Sequence, residues 1–214
     1  MPDHLTLEIV DEDVAMREAR EGTSESRANF LKKAVFAGGT LTLGGIAIGG
    51  LPALSFAQPS PSQDVQVLNF ALTLEYLEAA FYTQARNLTG ETREFARVVG
   101  AHERQHVAFL KKALGAKAVK SPTFDFGNTV TNQARFQATA VVLEDTGVAA
   151  YNGQGPRVTK PVLAAAGSIV SVEARHAAWI RDIVNQNPAP KAFDQAQSMS
   201  QILAAVRATG FIQG

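Results

Sequence analysis

Two copies of one short motif constrain this chain more than any other feature. Glu103-x-x-His106 and Glu173-x-x-His176 each lie in a segment whose pattern predicts a helix. Residues three apart lie on the same face of a helix, about one turn from each other. A Glu and a His so placed can hold one metal ion together, and two such pairs facing each other predict a dinuclear site inside a helical bundle.

An internal repeat supplies a further acid for each half of such a site. Glu75 lies 28 residues before Glu103, and Glu144 lies 29 residues before Glu173. Two helical hairpins with matching polar insertions would pack with twofold pseudosymmetry, so that four Glu and two His meet at mid-bundle. The sequence therefore predicts a metal site with six ligands: Glu75, Glu103, His106, Glu144, Glu173 and His176.

Neighbouring residues leave alternatives open. Tyr82 and Tyr151 each lie seven residues after one of the single acids. They are hydrogen-bond donors behind the ligands, radical sinks, or core aromatics whose hydroxyl finds another partner. Glu78 is one turn from Glu75 and competes with it as the ligand.

The first motif also fits a second kind of site. His102-Glu103-x-x-His106 matches the zinc-protease pattern His-Glu-x-x-His, in which two His at i and i+4 bind zinc. This alternative needs a third zinc ligand and a substrate cleft, and it leaves the second motif without a role. Otherwise we expect His102 to be a flanking residue and Trp179 to be a core or surface aromatic.

Four acids at core positions need compensation. The effective penalty is several kcal/mol per buried ion, against a total domain stability of about 5–15 kcal/mol. Two divalent cations would balance four carboxylates; the alternative is that Arg side chains pair with them or that they lie at the edge of the apolar stripe. The chain has no Cys, which excludes disulfides, thiolate ligands and iron–sulfur clusters.

Apolar residues recur at helical spacing in five segments, and no strand pattern is present. The predicted helices span about 65–87, 91–114, 132–152, 161–185 and 194–208. Asp64 is the predicted N-cap of the first helix. The stretch 116–131 is long enough to cross a bundle from end to end. The predicted fold is all-α, a four-helix bundle over 64–186 with one long crossover and an extension, 187–214, that carries a short helix.

The first 57 residues differ in composition from the rest. A basic stretch, 26–33, precedes an uncharged, mainly apolar run that ends in Ser55-Phe56-Ala57, which is the layout of a secretory signal. It is similar to a twin-arginine leader, although Ala28 stands where the second Arg would be. We therefore predict a signal peptide over 1–57, a linker over 58–63 and an exported protein, periplasmic or extracellular. An uncleaved leader would instead anchor the chain in a membrane.

The charge excludes one class of partner. The formal net charge is zero, and residues after position 57 include 15 bases and 12 acids. This excess is too small to indicate a nucleic-acid-binding protein. The missing acidic excess also argues against a mineral-filled iron-storage cage.

Four segments of the bundle resemble the ferritin-like superfamily: 69–82, 102–106, 143–151 and 173–176. They are most similar to exported ferritin-like-domain proteins related to plant desiccation-induced proteins, and the resemblance covers roughly 64–184. It implies that Glu75 and Glu144 are single-Glu ligands and that the acids of the two motifs bridge or chelate the metals. His106 and His176 would be terminal nitrogen ligands.

The ligand types and the resemblance together lead to functional hypotheses. Carboxylates and imidazoles suit two ions of Fe or Mn, acting on O2 or H2O2 as a ferroxidase, peroxidase or catalase-like enzyme in stress protection. The expected partners are these small molecules and the metal ions, with a homodimer as the expected assembly. The alternative is a non-catalytic envelope protein of desiccation or stress, stabilised by its metal.

Overall fold

The computed structural model describes residues 59–213, so the predictions for the leader lie outside the described residues. Five α-helices are present in this range: α1 Pro61–Gln84, α2 Gly90–Leu114, α3 Gln133–Gln154, α4 Lys160–Ile183 and α5 Met199–Thr209. α1 packs against α2, and α3 packs against α4. The predicted all-α bundle of two hairpins joined by a long crossover is confirmed. None of the described helices is both long and apolar enough to cross a bilayer.

α1 begins earlier than the sequence predicts. Ser60 is its N-cap, because the Ser60 hydroxyl accepts a hydrogen bond of 3.3 Å from the backbone N–H of Gln63. The prediction of Asp64 as N-cap is therefore wrong, and the helix takes in the end of the predicted linker. The Asp64 carboxylate instead accepts hydrogen bonds from the backbone N–H and the hydroxyl of Thr159, at 2.9 and 2.6 Å. It thereby ties the start of α1 to the start of α4.

The crossover between α2 and α3 contains only short elements. Gly115–Lys117 and Gly127–Val130 are 3-10 turns, and Thr123–Phe124 forms strand β1. β1 pairs antiparallel with β2, Ile212–Gln213. The sequence pattern misses this pair, because two residues are too few to show the alternation of a strand.

Two apolar clusters lie on either side of mid-bundle. The first cluster contains Val99 of α2 and Ile180 of α4. The second contains Leu110 of α2 and Ile169 of α4. All four are 5% exposed or less. The two Glu-x-x-His motifs occupy the intervals between these residues, so their polar side chains are enclosed by apolar ones.

α5 packs onto the first of these clusters. Ile202 is fully buried in it and Val206 is buried beside it. Ser198 and Gln201 form a capping box that fixes the start of the helix. The C-terminal helix is thus part of the packed domain, and its apolar face covers the bundle.

Candidate metal centre

All six residues predicted as ligands lie together at mid-bundle. α1 contributes Glu75, α3 contributes Glu144, and the two motifs on α2 and α4 contribute the rest. The four Glu are at most 1% exposed and His176 is 3% exposed, while the side chain of His106 is 12% exposed. The spacing of the repeat therefore corresponds to a real convergence, and His106 is its most exposed member.

The six residues form two groups of four. In each group, one candidate ligand atom from every residue lies within 4.8 Å of the other three. Glu103 and Glu173 belong to both groups. We call the groups the His106 half, made of Glu75, Glu103, His106 and Glu173, and the His176 half, made of Glu103, Glu144, Glu173 and His176.

In the His106 half, a single nitrogen faces three carboxylates. Nδ1 of His106 lies 3.1–3.2 Å from one oxygen each of Glu75, Glu103 and Glu173. One N–H cannot point well along three separate contacts. Four ligand atoms placed around one point are instead the arrangement that a shared cation requires.

In the His176 half, buried ligand atoms have no hydrogen-bond partner. Nδ1 of His176 lies 3.2 Å from an oxygen of Glu103 and 3.3 Å from one of Glu144, yet neither contact has hydrogen-bond geometry. Buried polar atoms are nearly always paired, so their convergence fits a bound cation. The unpaired atoms are Glu103 Oε1, Glu144 Oε2, Glu173 Oε1, Glu173 Oε2 and His176 Nδ1.

Burial and the two imidazoles shift the pKa values of the acids apart. Burial raises the pKa of Glu144 to about 8, although the nearby His176 lowers it in part. Burial would raise the pKa of Glu103 as well, but its contacts with His106 and His176 lower it to about 2. Burial also raises the pKa of the other two acids of the site. The metal-free centre therefore holds protons on some of its carboxyl groups at neutral pH.

The two histidines hold protons as well. Burial would lower the pKa of His106, but its carboxylate neighbours outweigh burial and raise it to about 12. The same balance raises the pKa of His176 to about 10. In the metal-free protein, both imidazoles therefore carry protons that a cation would displace, so metal binding must release protons.

The donor set and its spacing fit a pair of divalent ions. Imidazole suits Fe and Zn, and carboxylates suit Mn and other hard cations. Two ligand atoms bound at right angles, each about 2.1 Å from one ion, lie about 3.0 Å apart. The closest nitrogen–oxygen distance is 3.1 Å in the His106 half and 3.2 Å in the His176 half. Small adjustments of these side chains would therefore form a coordination sphere in each half.

Comparison with protein families agrees with this architecture. The sequence profile of the ferritin-like domain matches residues 63–186, more than half of the 214 residues. The chain belongs to the ferritin-like domain family. A comparison with curated proteins gave no match.

Two tyrosines of this ferritin-like domain connect the hairpins. Tyr82, on α1, donates a hydrogen bond to Glu144, on α3. Tyr151, on α3, donates a hydrogen bond of 2.5 Å to Glu75, on α1. The sequence relates each tyrosine to the acid of its own helix, whereas the structure pairs it with the acid of the other helix. Both hydroxyls are thus donors to the site, as one of the three sequence interpretations held.

His102 reaches the site through His176, which the sequence did not predict. Nδ1 of His102 lies 2.9 Å from Nε2 of His176, and the rings stack with centroids 5.1 Å apart. If His176 binds metal through Nδ1, its Nε2 carries the proton and His102 accepts it. The sequence signal was weak, because adjacent residues such as His102 and Glu103 point about 100° apart on a helix.

The geometry separates the competing assignments. Among the described residues, His102 belongs to neither half, so the zinc-protease pattern does not bring its two histidines into one group. Glu75 joins the His106 half, whereas Glu78 belongs to neither group of four. Trp179 packs against Phe95 and donates from Nε1 to Glu91 at 2.8 Å, as expected of an aromatic at the edge of the core.

Proposed function

We propose that this ferritin-like protein binds two ions of iron or manganese and uses them for redox chemistry on O2 or H2O2. The sharing of Glu103 and Glu173 between the halves is the observation that carries the proposal. Each directs one carboxylate oxygen toward His106, at 3.1 Å, and the other toward His176, at 3.2 Å for Glu103 and 3.9 Å for Glu173. Carboxylates placed in this way can bridge two cations, as in dinuclear four-helix-bundle sites.

The charge of the site supports the same proposal. Within residues 59–213, the ion pairs of the four Glu involve only His106 and His176, and no Arg or Lys. Arg pairing, the alternative that the sequence left open, is therefore not found among the described residues. Two divalent cations would neutralise four carboxylates whose burial as unpaired ions costs several kcal/mol each.

The chain's own residues prepare the site for this chemistry. When bound, a pair of redox-active ions would exchange electrons with O2 or H2O2 in a ferroxidase, peroxidase or catalase-like reaction. The two tyrosine hydroxyls orient the single acids, and the two shared acids set the spacing of the ions. The apolar clusters keep bulk water from the centre. His106 is the most exposed of the six predicted ligands, so we expect a small oxidant to approach from that side.

Metal loading and turnover test the proposal. Purified protein is loaded with Fe(II) or Mn(II), and the bound metal and the rate with peroxide are measured. We expect two ions per chain and a rate above that of the free ion. Glu173→Ala removes a shared carboxylate and should abolish both the binding of two ions and the rate enhancement. Glu94→Ala changes an exposed acid on α2 and should alter neither the metal content nor the rate. Equal turnover in Glu173→Ala would refute an enzymatic centre built on these residues.

A non-catalytic role is the second candidate, and the same buried charge favours it. Bound cations would remove the repulsion between carboxylates and stabilise the fold without any turnover. This role, in the desiccation or stress response of the cell envelope, predicts metal-dependent melting and no rate above that of the free ion. Gel filtration separates both candidates from a storage cage, because a monomer or dimer cannot enclose a mineral. Elemental analysis of protein from its native compartment decides between iron and manganese.

We also propose that the protein is exported, on the evidence of the leader pattern in residues 1–57. N-terminal sequencing of protein recovered from the periplasm or medium tests this. A mature chain that begins near Gln58 is expected. Full-length protein in the membrane fraction would show instead that the apolar run remains as an anchor.

A further inference from the structure

One buried acid beside the centre has no role in the proposed function. Glu78 follows Glu75 by one turn of α1 and is 3% exposed. None of the ion pairs formed by residues 59–213 includes it. Burial, and after it the neighbouring carboxylates of Glu144 and Glu173, raise the pKa of Glu78 well above its ordinary value. Glu78 is therefore a fifth buried acid in a cluster whose ion pairs, among the described residues, involve only His106 and His176.

The internal repeat is broken at the position that makes room for this side chain. Glu78 lies three residues after Glu75, and the matching position, three residues after Glu144, is Gly147. A Cβ atom at Gly147 would lie 3.4 Å from an oxygen of Glu78 and 3.4 Å from Oε2 of Glu173. Both oxygens thus border the same small space against α3, and the Glu173 oxygen has no hydrogen-bond partner.

We propose that Glu78 is a seventh metal-binding residue and the fifth carboxylate of the centre, which serves the ion of the His176 half. The Glu173 oxygen that borders the same space, Oε2, is the one directed toward His176, at 3.9 Å, and it has no hydrogen-bond partner. A divalent cation is the chemical species that relieves such a cluster. The two halves are then unequal: the His176 half has one more carboxylate and less exposure to solvent than the His106 half. This inference rests on the proposed two-ion function.

Glu78→Gln tests the assignment, because the amide keeps the shape of the side chain and removes its charge. Mn2+ alone is titrated into wild-type protein and the variant, with competition against a chelator, and melting is followed with and without Mn2+. We expect two ions in wild type and, in the variant, an affinity at one site that falls about 10-fold or more. The spectrum of the bound Mn2+ pair in electron paramagnetic resonance should change as well. Glu94→Gln, at an exposed acid of α2, is the control and should match wild type.

The melting temperatures separate a ligand from a packing residue. If Glu78 is a ligand, the metal-free variant melts at or above the wild-type temperature, because Gln has no charged form for burial and the neighbouring carboxylates to disfavour. Only the metal-loaded form then loses stability. A variant that loses the same stability with and without Mn2+ would show a packing role and refute the inference. Unchanged affinities and spectrum would refute it too. Wild-type protein that fails to bind two ions would instead refute the proposed function itself.

Discussion

The hydroxyl of Tyr151 donates a 2.5 Å hydrogen bond to Glu75, although 76 residues separate them. Tyr82 donates in the opposite direction, from α1 to Glu144 on α3. The earlier residue of each helix thus pairs with the later residue of the other: Glu75 with Tyr151, and Glu144 with Tyr82. This is the pairing expected of antiparallel helices. These two bonds join the hairpins through the single acids of the candidate site. The same contacts that orient the acids therefore also hold the two halves of the bundle together.

Tyr151→Phe should weaken metal binding while leaving the fold in place. The substitution keeps the ring and removes the donor to Glu75, and hydrogen bonds to charged groups contribute about 1.5–3 kcal/mol. We expect about a 10-fold or greater loss of Mn2+ affinity, measured by chelator competition. Tyr76→Phe is the matched control, because the Tyr76 hydroxyl donates only to the exposed Val119 carbonyl, at 3.3 Å. Equal affinities in the two variants would mean that the Tyr151 hydroxyl does not orient a ligand.

The stability of the metal-free protein should fall as pH rises from about 5 to 9. The folded-state pKa of Glu144 is raised from 4.5 to about 8, so between these values the folded chain binds more protons than the unfolded chain. His106, raised from 6.5 to about 12, acts in the same direction above pH 6.5. Where the folded state binds more protons, the free energy of unfolding decreases with rising pH. Glu103, lowered from 4.5 to about 2, has the opposite effect and costs stability only below pH 4.5.

Thermal melting in the presence and absence of a chelator measures this dependence. The metal-free melting temperature should be highest near pH 5 and should decline toward pH 9. The metal-loaded protein should show a smaller decline or none, because cations replace the protons that the site would otherwise lose. A metal-free melting temperature that rises across this range would contradict the protonation of Glu144 and His106 at neutral pH.

The six residues of the candidate site could be found in the sequence because two constraints act on them together. The Glu-x-x-His spacing places Glu103 and His106 on one helix face, and the interval from Glu75 repeats in the second hairpin. Hairpins of similar length with polar residues at similar depth have few other ways to bury those residues. The fold follows from the same periodicity, since each helix carries its apolar stripe on the side of its polar insertion.

The contacts around the site could not be found in this way, because they depend on how the hairpins pack. In the sequence, each tyrosine lies two turns from a Glu of its own helix and looks like a partner of that Glu. Because α1 and α3 pack antiparallel, each tyrosine instead donates to the Glu of the other helix. His102 lies off the ligand face of α2 and becomes relevant only because α4 brings His176 beside it. From the sequence, Gly147 is only a residue that lowers the helix propensity of α3. The structure shows that its missing side chain leaves space for the carboxylate of Glu78.

His102→Ala should weaken the His176 half of the centre. His102 Nδ1 lies 2.9 Å from Nε2 of His176, and loss of such an outer partner typically lowers metal affinity about 10–100-fold. Calorimetric titration with Mn2+ should show the loss at one of two sites. Gln105→Ala, at an exposed residue of the same helix whose side chain donates only to the Ala101 carbonyl, should leave both sites unchanged. An equal loss of Mn2+ affinity at both sites would contradict a role of His102 that acts through His176 alone.

Gly153→Ala should destabilise the protein although alanine favours helices. A Cβ atom at Gly153, on α3, would lie 1.8 Å from the carbonyl oxygen of Gln197 and 2.7 Å from its carbonyl carbon. The backbone N–H of Gln197 also donates a hydrogen bond of 3.0 Å to the Ala149 carbonyl, which holds this segment against α3. The added methyl group must displace this backbone, which leads directly into α5 and its buried Ile202. Overpacking of this kind typically costs about 1–3 kcal/mol.

Gly167→Ala is the matched substitution that isolates this contact. Gly167 is also helical, on α4, but a Cβ atom there would meet nothing within 4 Å. Helix propensity alone should make either change stabilising by about 1 kcal/mol, so we expect Gly167→Ala to raise the melting temperature and Gly153→Ala to lower it. Limited proteolysis between α4 and α5 should be faster in Gly153→Ala only, while Mn2+ affinity is retained. If both variants melted above wild type, the segment at Gln197 would not be held against α3 in solution, and α5 would have to be stabilised by its apolar face alone.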